Sequence, residues 1–427
     1  MMNRMNFAAA AAFASGLAFA APHVDQADVT LTQDRSRKVT ISYTLKGDPG
    51  IVTVDIQTNT LADATGAWVS IGAEHLFGFE GAVNRLVTDV DTPSTITWQA
   101  DEYWPNHKLR GGIVRAEVKA WPTNNPPDVV VFDLIGGGMS FYTSLEALPG
   151  GISSDDYKVT KLVLRRCHAA GRPFRMGSPL NEPNRATGDY HTEDPRVGTI
   201  SSDYYLGIYE LTEGQFQSVN PSRTGEPENT SANRKPHVNF TWNTCRGDST
   251  GNYNWPTRGH EVDPASIMGC IRKVIGQDVD LPTAAQWEFA CRAGTATAFS
   301  NGEQTSTDRA KTCGWCSDNA EGAVHEVGTI YANAWGFCDM HGNASEWVLN
   351  FMCNYPQNYD FENGPDVGPA DHQYIKATHR AIRGGGFTQA ANLMRSARVS
   401  DWAAPNASSD HPSQIGCRIC LPAVIRD

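Results

Sequence analysis

Residues 382–395 read IRGGGFTQAANLMR. Three glycines follow Arg383, and Phe387, Thr388 and Gln389 come next. A glycine run permits positive φ and close backbone approach, so the stretch has the makings of a tight turn. It carries no cysteine, serine or histidine nucleophile. It is a reaction site, the remnant of one, or only a turn, and the surrounding motifs decide which.

The chain has 427 residues, enough for two domains. A net charge of −12 without basic runs argues against a nucleic-acid surface or an anionic-membrane patch. The N-terminus reads as a removable leader. Arg4 precedes the apolar small-residue stretch FAAAAAFASGLAFA, and Ala18-Phe19-Ala20 fits signal-peptidase cleavage after Ala20. The stretch is short for a membrane span, nothing resembling a second span follows, and no cysteine sits at the cleavage point. These features predict an exported protein, secreted or periplasmic.

All ten cysteines lie after residue 150. An even count in an oxidising compartment favours disulfides. Two CxxC pairs, CGWC at 313–316 and CRIC at 417–420, leave two alternatives. They could form a four-thiolate zinc site, though their separation is far from zinc-ribbon spacing. CGWC could also be a redox dithiol, though no βαβ pattern surrounds it.

Residues 21–145 read as an all-β sandwich of immunoglobulin or fibronectin type. Val39, Ile41, Tyr43 and Leu45 alternate with polar neighbours, GDPG at 47–50 marks a turn, and IVTVDI follows. Further strands are expected at 94–98, 113–121 and 129–134, with no catalytic constellation among them. Residues 146–156 read as a linker. Beyond it the clearest element is a helix in LPTAAQWEFACRAG (281–294). Thr283 and Gln286 suit a capping box there, Trp287, Phe289 and Ala290 supply the buried side, and Gly294 ends the helix.

Six motifs then recur in order. FRMGS (174–178) precedes EDPRVGTISSDYYLGIYELTEGQF (193–216) and the 281–294 helix. NAWGFCDMHGNASEWV (333–348), IRGGGF (382–387) with MRSAR (394–398), and IGCRI (415–419) follow. Together they resemble the formylglycine-generating enzyme, or sulfatase-modifying factor, family over residues 157–427. The resemblance implies an α+β fold with much irregular structure, related to C-type lectins and preceded here by the β-sandwich.

The family's activity is oxidation of a cysteine in a client sulfatase to formylglycine, on copper held by two cysteines just after the double glycine. Soft thiolates select Cu(I), and a two-sulfur site leaves room for a substrate thiolate. Here the family's usual serine is Gly386, the first cysteine position is Gln389, the second falls on Leu393 or Met394, and the tryptophan before Glu-Trp is Ser345. These degenerate positions predict no copper chemistry. Cys417 and Cys420 on the last strand are the alternative thiols.

The resemblance also implies structural calcium in DMHGNASEW. Asp339 and Glu346 would give side-chain oxygens, and Gly342 and Ala344 main-chain carbonyls, an all-oxygen set of the kind calcium prefers. A second calcium position begins at an Asn-Ile pair, matched here by Asn319-Ala320. His191, Glu193 and Asp194 read as a solvated loop, and His237 as structural. The expected function is a non-catalytic family member binding a peptide, a protein client such as a sulfatase, or a glycan. The alternative is an active formylglycine-generating oxidase.

Overall fold

A computed structural model describes residues 20–107, 109, 112–185, 193–247, 262–302, 310–352, 376–403 and 414–426. Residues 1–19 of the leader and Cys353 lie outside the described residues, as does His191. No described helix is long and apolar enough to cross a membrane.

The alternation at 39–45 forms the strand Lys38–Lys46, whose even-spaced apolar residues are buried and whose partners are not. Its full length pairs antiparallel with Pro93–Gln99. Gly50–Asn59 pairs in the same way with Val114–Trp121 in a second sheet. Side chains from both sheets meet in one core, with Ile41, Tyr43 and Trp98 from the first and Val54, Ile56 and Val118 from the second. This is the packing a sandwich requires.

The strand expected at 129–134 forms, as Val129–Asp133, but not in the sandwich. It pairs with Met139–Tyr142 and with Lys161–Cys167. Lys161–Cys167 continues through Tyr204–Gly207 to Cys420–Pro422. All four residues Val129–Phe132 are buried. A strand buried on both faces belongs in the centre of a large core rather than on a half-solvated sandwich. The hydrogen-bonded boundary therefore falls between Trp121 and Val129, not at 145. Residues 146–156 are likewise no free linker. Leu148 is fully buried in the second core, and Tyr157 Oη donates to Pro149 O at 2.9 Å. Glycine and serine content suggested a linker because turns share that composition.

The second core is covered by helices and by a four-stranded sheet that carries the site. Its order is Ser400–Ala403, Lys376–Arg383, Ser345–Met352, Ile415–Cys417, and the last pair is parallel. The helix Ala284–Arg292 has the expected reciprocal capping box between Thr283 and Gln286. All nine of its residues are buried, not one face alone, and Ala293 rather than Gly294 takes the first left-handed position after it. Its charged residues are buried because they are paired. Glu288 meets Arg292 at 2.8 Å and Arg383 at 3.1 Å.

Leu148→Ala should cost about 2–5 kcal/mol in urea unfolding, the range for a core deletion. A change within about 0.5 kcal/mol, as at an ordinary surface position, would restore 146–156 as a linker.

Candidate functional site

The glycine run is a turn that the rest of the site leans on. Gly384 and Gly385 adopt φ of 85° and 73°, which glycine reaches without a Cβ penalty. Gly384 O accepts from Gly342 N (2.9 Å), and Phe387 N donates to Asn343 O (2.9 Å). These bonds fasten the 384–387 turn to the HGN segment of the 339–347 motif. A Cβ on Gly386 would lie 3.2 Å from Ser345 Oγ, so the larger side chain of a serine there would crowd Ser345.

Register places the floor of the cleft on one face of the sheet. Ser345 lies opposite Ile415, Trp347 opposite Ile382, and Ile382 opposite Ser400. Residues two apart on a strand share a face. The resulting cavity, about 270 Å³, is lined by Ser345, Ile382, Ser400 and Ile415 from the sheet. Thr388, Gln389, Ala390 and Leu393 line it from the loop, and Gln414 from the approach to the last strand. Thr388 Oγ1 is hydrogen-bonded to Gln414 Oε1 across it. Nothing in the sequence pattern singled out that clasp, because its two residues meet only through the fold.

Gly386, Gln389 and Ser345 lie together at this cleft. Gln389 folds back on its own turn, with Oε1 accepting from Gly386 N at 3.3 Å. The alternatives for the second position separate: Leu393 lines the cleft, whereas Met394 is fully buried beneath it. Cys417 and Cys420 do not line the cleft; both are fully buried, and Cys420 Sγ contacts Gln286 Oε1 at 3.8 Å. The donors at the cleft are amide, hydroxyl and hydrocarbon. They do not fit Cu(I), which needs soft sulfur.

Glu346 and Asp339 depart from the calcium arrangement. Glu346 is fully buried and held by Arg418, with contacts of 2.8 and 3.2 Å. Its Oε2 also accepts from Trp287 Nε1 at 2.7 Å. Asp339 Oδ2 accepts from Gly328 N at 2.6 Å, and its buried Oδ1 has no hydrogen-bond partner. Burial raises the Asp339 carboxyl to about 6, and the nearby Glu346 charge adds to the rise. Glu210, which the sequence reading missed, joins them. It accepts from Ala344 N (2.8 Å) and Asn343 Nδ2 (2.7 Å). Burial first, then Asp339 and Glu346, push its carboxyl well above the ordinary range. A calcium ion on Glu346 would have to displace a guanidinium, so the set fits the ion poorly. Among the described residues no three His, Cys, Asp or Glu side chains are placed to hold a metal.

Asn319 and Ala320 serve the CGWC turn instead. Asn319 Oδ1 accepts from Cys316 N (2.7 Å), and Ala320 O pairs with His325 Nε2 (3.0 Å). Cys313 and Cys316 pack with Met394 and Ala391 under the glycine loop, and Ser317 N donates to Gln389 O at 2.9 Å. No disulfide joins any two of the nine described cysteines, and eight of the nine are buried. Among the described residues none of the expected disulfides is formed, and the sulfurs pack as small core groups. Glu193 is no solvated residue either. It is fully buried and binds Arg395 at 2.7 and 2.9 Å, while Asp194 pairs with Arg185. His237 stacks on Phe216 with centroids 3.9 Å apart and bonds Glu213.

The profile described as the sulfatase-modifying factor enzyme 1-like domain matches residues 169–422, more than half of the chain. The chain belongs to this family. No curated protein matches it. Among solved structures it is similar to Treponema denticola variable protein 1, at 20% identity and a TM-score of 0.44, over 62% of this chain and 96% of that one. PvdO from Pseudomonas aeruginosa is 21% identical with a TM-score of 0.44, over 64% of this chain and 99% of that one. Within this sulfatase-modifying-factor domain, Glu193, Glu288 and Glu346 of the motifs are bound to arginines.

Two measurements test this reading. Calcium should leave the melting temperature unchanged, while Glu346→Gln should cost about 3–5 kcal/mol by leaving Arg418 unpaired. A calcium-dependent rise that Glu346→Gln abolishes would restore the ion. The second concerns His341, buried with Nδ1–H donating to Met394 O at 2.7 Å and Nε2 accepting from Ser300 N at 3.1 Å. Burial lowers its pKa from 6.5 to about 4. The unfolded chain therefore takes up this proton first, and stability present above pH 6.5 is lost as pH falls toward 4. The loss should amount to roughly 3 kcal/mol. His341→Gln should flatten that part of the pH profile; an unchanged slope would assign it to other groups.

Proposed function

We propose that this protein is an exported, non-catalytic sulfatase-modifying-factor domain whose cleft binds a segment of a protein client or a glycan without oxidising it. One observation carries the reading. Where the family's copper thiols are expected, the cleft presents Gln389 and Leu393, with Ser345 beside them. Copper oxidation of a client cysteine needs anionic sulfur on the protein to hold the metal next to the substrate thiolate. An amide that already caps its own turn and an aliphatic side chain supply none.

Binding requires less. The lining alternates hydroxyl and amide groups with aliphatic surface, and such groups can pair with the backbone of an extended peptide or with sugar hydroxyls. Its neutrality supports a ligand recognised by hydrogen bonds and shape rather than by charge. The leader at 1–20 supports export, where a binding module can meet a client. Family membership favours a second reading, a formylglycine-generating oxidase, and the same assay separates the two.

The copper-loaded protein is incubated in air with a cysteine peptide of sulfatase type, and the peptide mass is followed. No conversion of thiol to aldehyde is expected. Multiple turnover would overturn the non-catalytic reading. The same peptide, fluorescently labelled, should bind, and Leu393→Glu should weaken binding at least about tenfold by placing a charge on the apolar part of the cleft. Equal binding by wild type and variant would place recognition elsewhere.

A further inference from the structure

Two hydroxyls in the cleft are buried and unanswered. Ser345 is 4% exposed and Ser400 6%, and both line the cavity. Among the described residues neither Oγ has a hydrogen-bond partner. A hydroxyl so placed takes its hydrogen bond from water or from a ligand. The two stand at different places in the sheet. The Ser345 strand is flanked on both sides, by Lys376–Arg383 and by Ile415–Cys417. Ser400–Ala403 is at the edge of the sheet order, beside Lys376–Arg383. One strand separates them, which puts the hydroxyls roughly 10 Å apart. The walls are aliphatic, from Ile382, Leu393 and Ile415. Among the described residues no charged or aromatic side chain lines the cavity. Its volume of about 270 Å³ is well above the ~150 Å³ in which an apolar cavity takes up a benzene ring. A cysteine side chain would leave most of that space unfilled, and unfilled space forfeits contacts.

We propose that the cleft takes a tyrosine side chain of a protein client, with the ring between Ile382, Leu393 and Ile415 and the phenol hydroxyl on Ser345 Oγ. This inference rests on the reading of the cleft as a non-catalytic binding site, and it names the group bound there. A phenol hydroxyl both donates and accepts, as a serine hydroxyl does, so each completes the other. An aromatic ring with one polar tip matches aliphatic walls that end on a single buried hydroxyl. Phenylalanine would fill the same space but leave Ser345 unpaired. A lysine or glutamate would bring a charge into a neutral lining that has no partner for it. A sugar ring would turn its hydroxyls onto the aliphatic walls, where they find no acceptor. Ser400 is too far from Ser345 to meet the same ligand atom. At the sheet edge it pairs with the backbone of the segment that carries the tyrosine.

The full chain is titrated calorimetrically with the sulfatase-type peptide and with versions carrying tyrosine, phenylalanine or glutamate in place of its cysteine. The tyrosine peptide should bind tightest, about tenfold tighter than the phenylalanine peptide, because the latter leaves a buried hydroxyl unpaired. The glutamate peptide should give no heat of binding over the same range. Ser345→Ala should remove the difference between tyrosine and phenylalanine. Ser400→Ala should instead weaken both peptides alike, by several-fold. Each variant deletes only an unpartnered hydroxyl, so both should melt at the wild-type temperature. Equal affinity for the tyrosine and phenylalanine peptides would overturn the proposal, as would a preference that survives Ser345→Ala. If the cysteine peptide or a neutral glucan hexasaccharide binds in a Leu393→Glu-sensitive way and the tyrosine peptide does not, this inference fails while the binding reading stands. If none of these ligands binds, both fail.

Discussion

Arg418 sits where the chain passes from one sheet of the second core to the other. Ile415–Cys417 belongs to the sheet of the cleft, and Cys420–Pro422 to the sheet that begins at Met139–Tyr142. Between them the guanidinium is fully buried and all its nitrogens are bonded. It donates to Gly207 O, Ile208 O and Cys338 O and to both oxygens of Glu346. The planar fork of arginine can meet carbonyls and a carboxylate at once, which a lysine ammonium cannot reproduce. Removing either partner would leave a charge in the core, a situation far costlier than the net worth of the pair.

The same construction recurs through the domain. The motifs EDPR, QWEF, SEW, RGGG, RSAR and GCR meet in space as acid–base pairs. Glu288 joins Arg292 and Arg383, and also accepts from Gly177 N at 2.8 Å. Glu193 and Glu182 join Arg395. Arg246 joins Asp280 at 2.9 Å. A domain with short strands and long irregular connections has few backbone ladders to specify its shape. Fully satisfied buried polar groups can supply that specification, because each has only one arrangement in which it is not destabilising.

This scaffold holds the cleft without thiols at positions 389 and 393. The turn at 384–387 is held by backbone bonds to the 342–343 segment, and its floor by strand pairing. Neither needs sulfur at position 389. Gln389 even adds a bond to Gly386 N that a thiol would make less well. The result is a shaped depression whose lining side chains are uncharged.

Local periodicity and motif order determined much by themselves. Period-two alternation gave Lys38–Lys46 and Val114–Trp121, and the Thr283/Gln286 capping box marked its helix, since each signal lies within a few residues of its effect. The order of six motifs carried the family, and the fold brings Gly386, Gln389 and Ser345 together. Other features were decided only in three dimensions. Val129–Asp133 left the sandwich because its partners lie downstream, at Lys161–Cys167. Glu346 read as a cation ligand because a carboxylate beside a Gly-Asn turn looks the same whether calcium or arginine answers it. The answering charge, Arg418, lies 72 residues away in sequence and 2.8 Å away in space. Pairings of this kind follow from the packing of distant segments, and no local pattern encodes them.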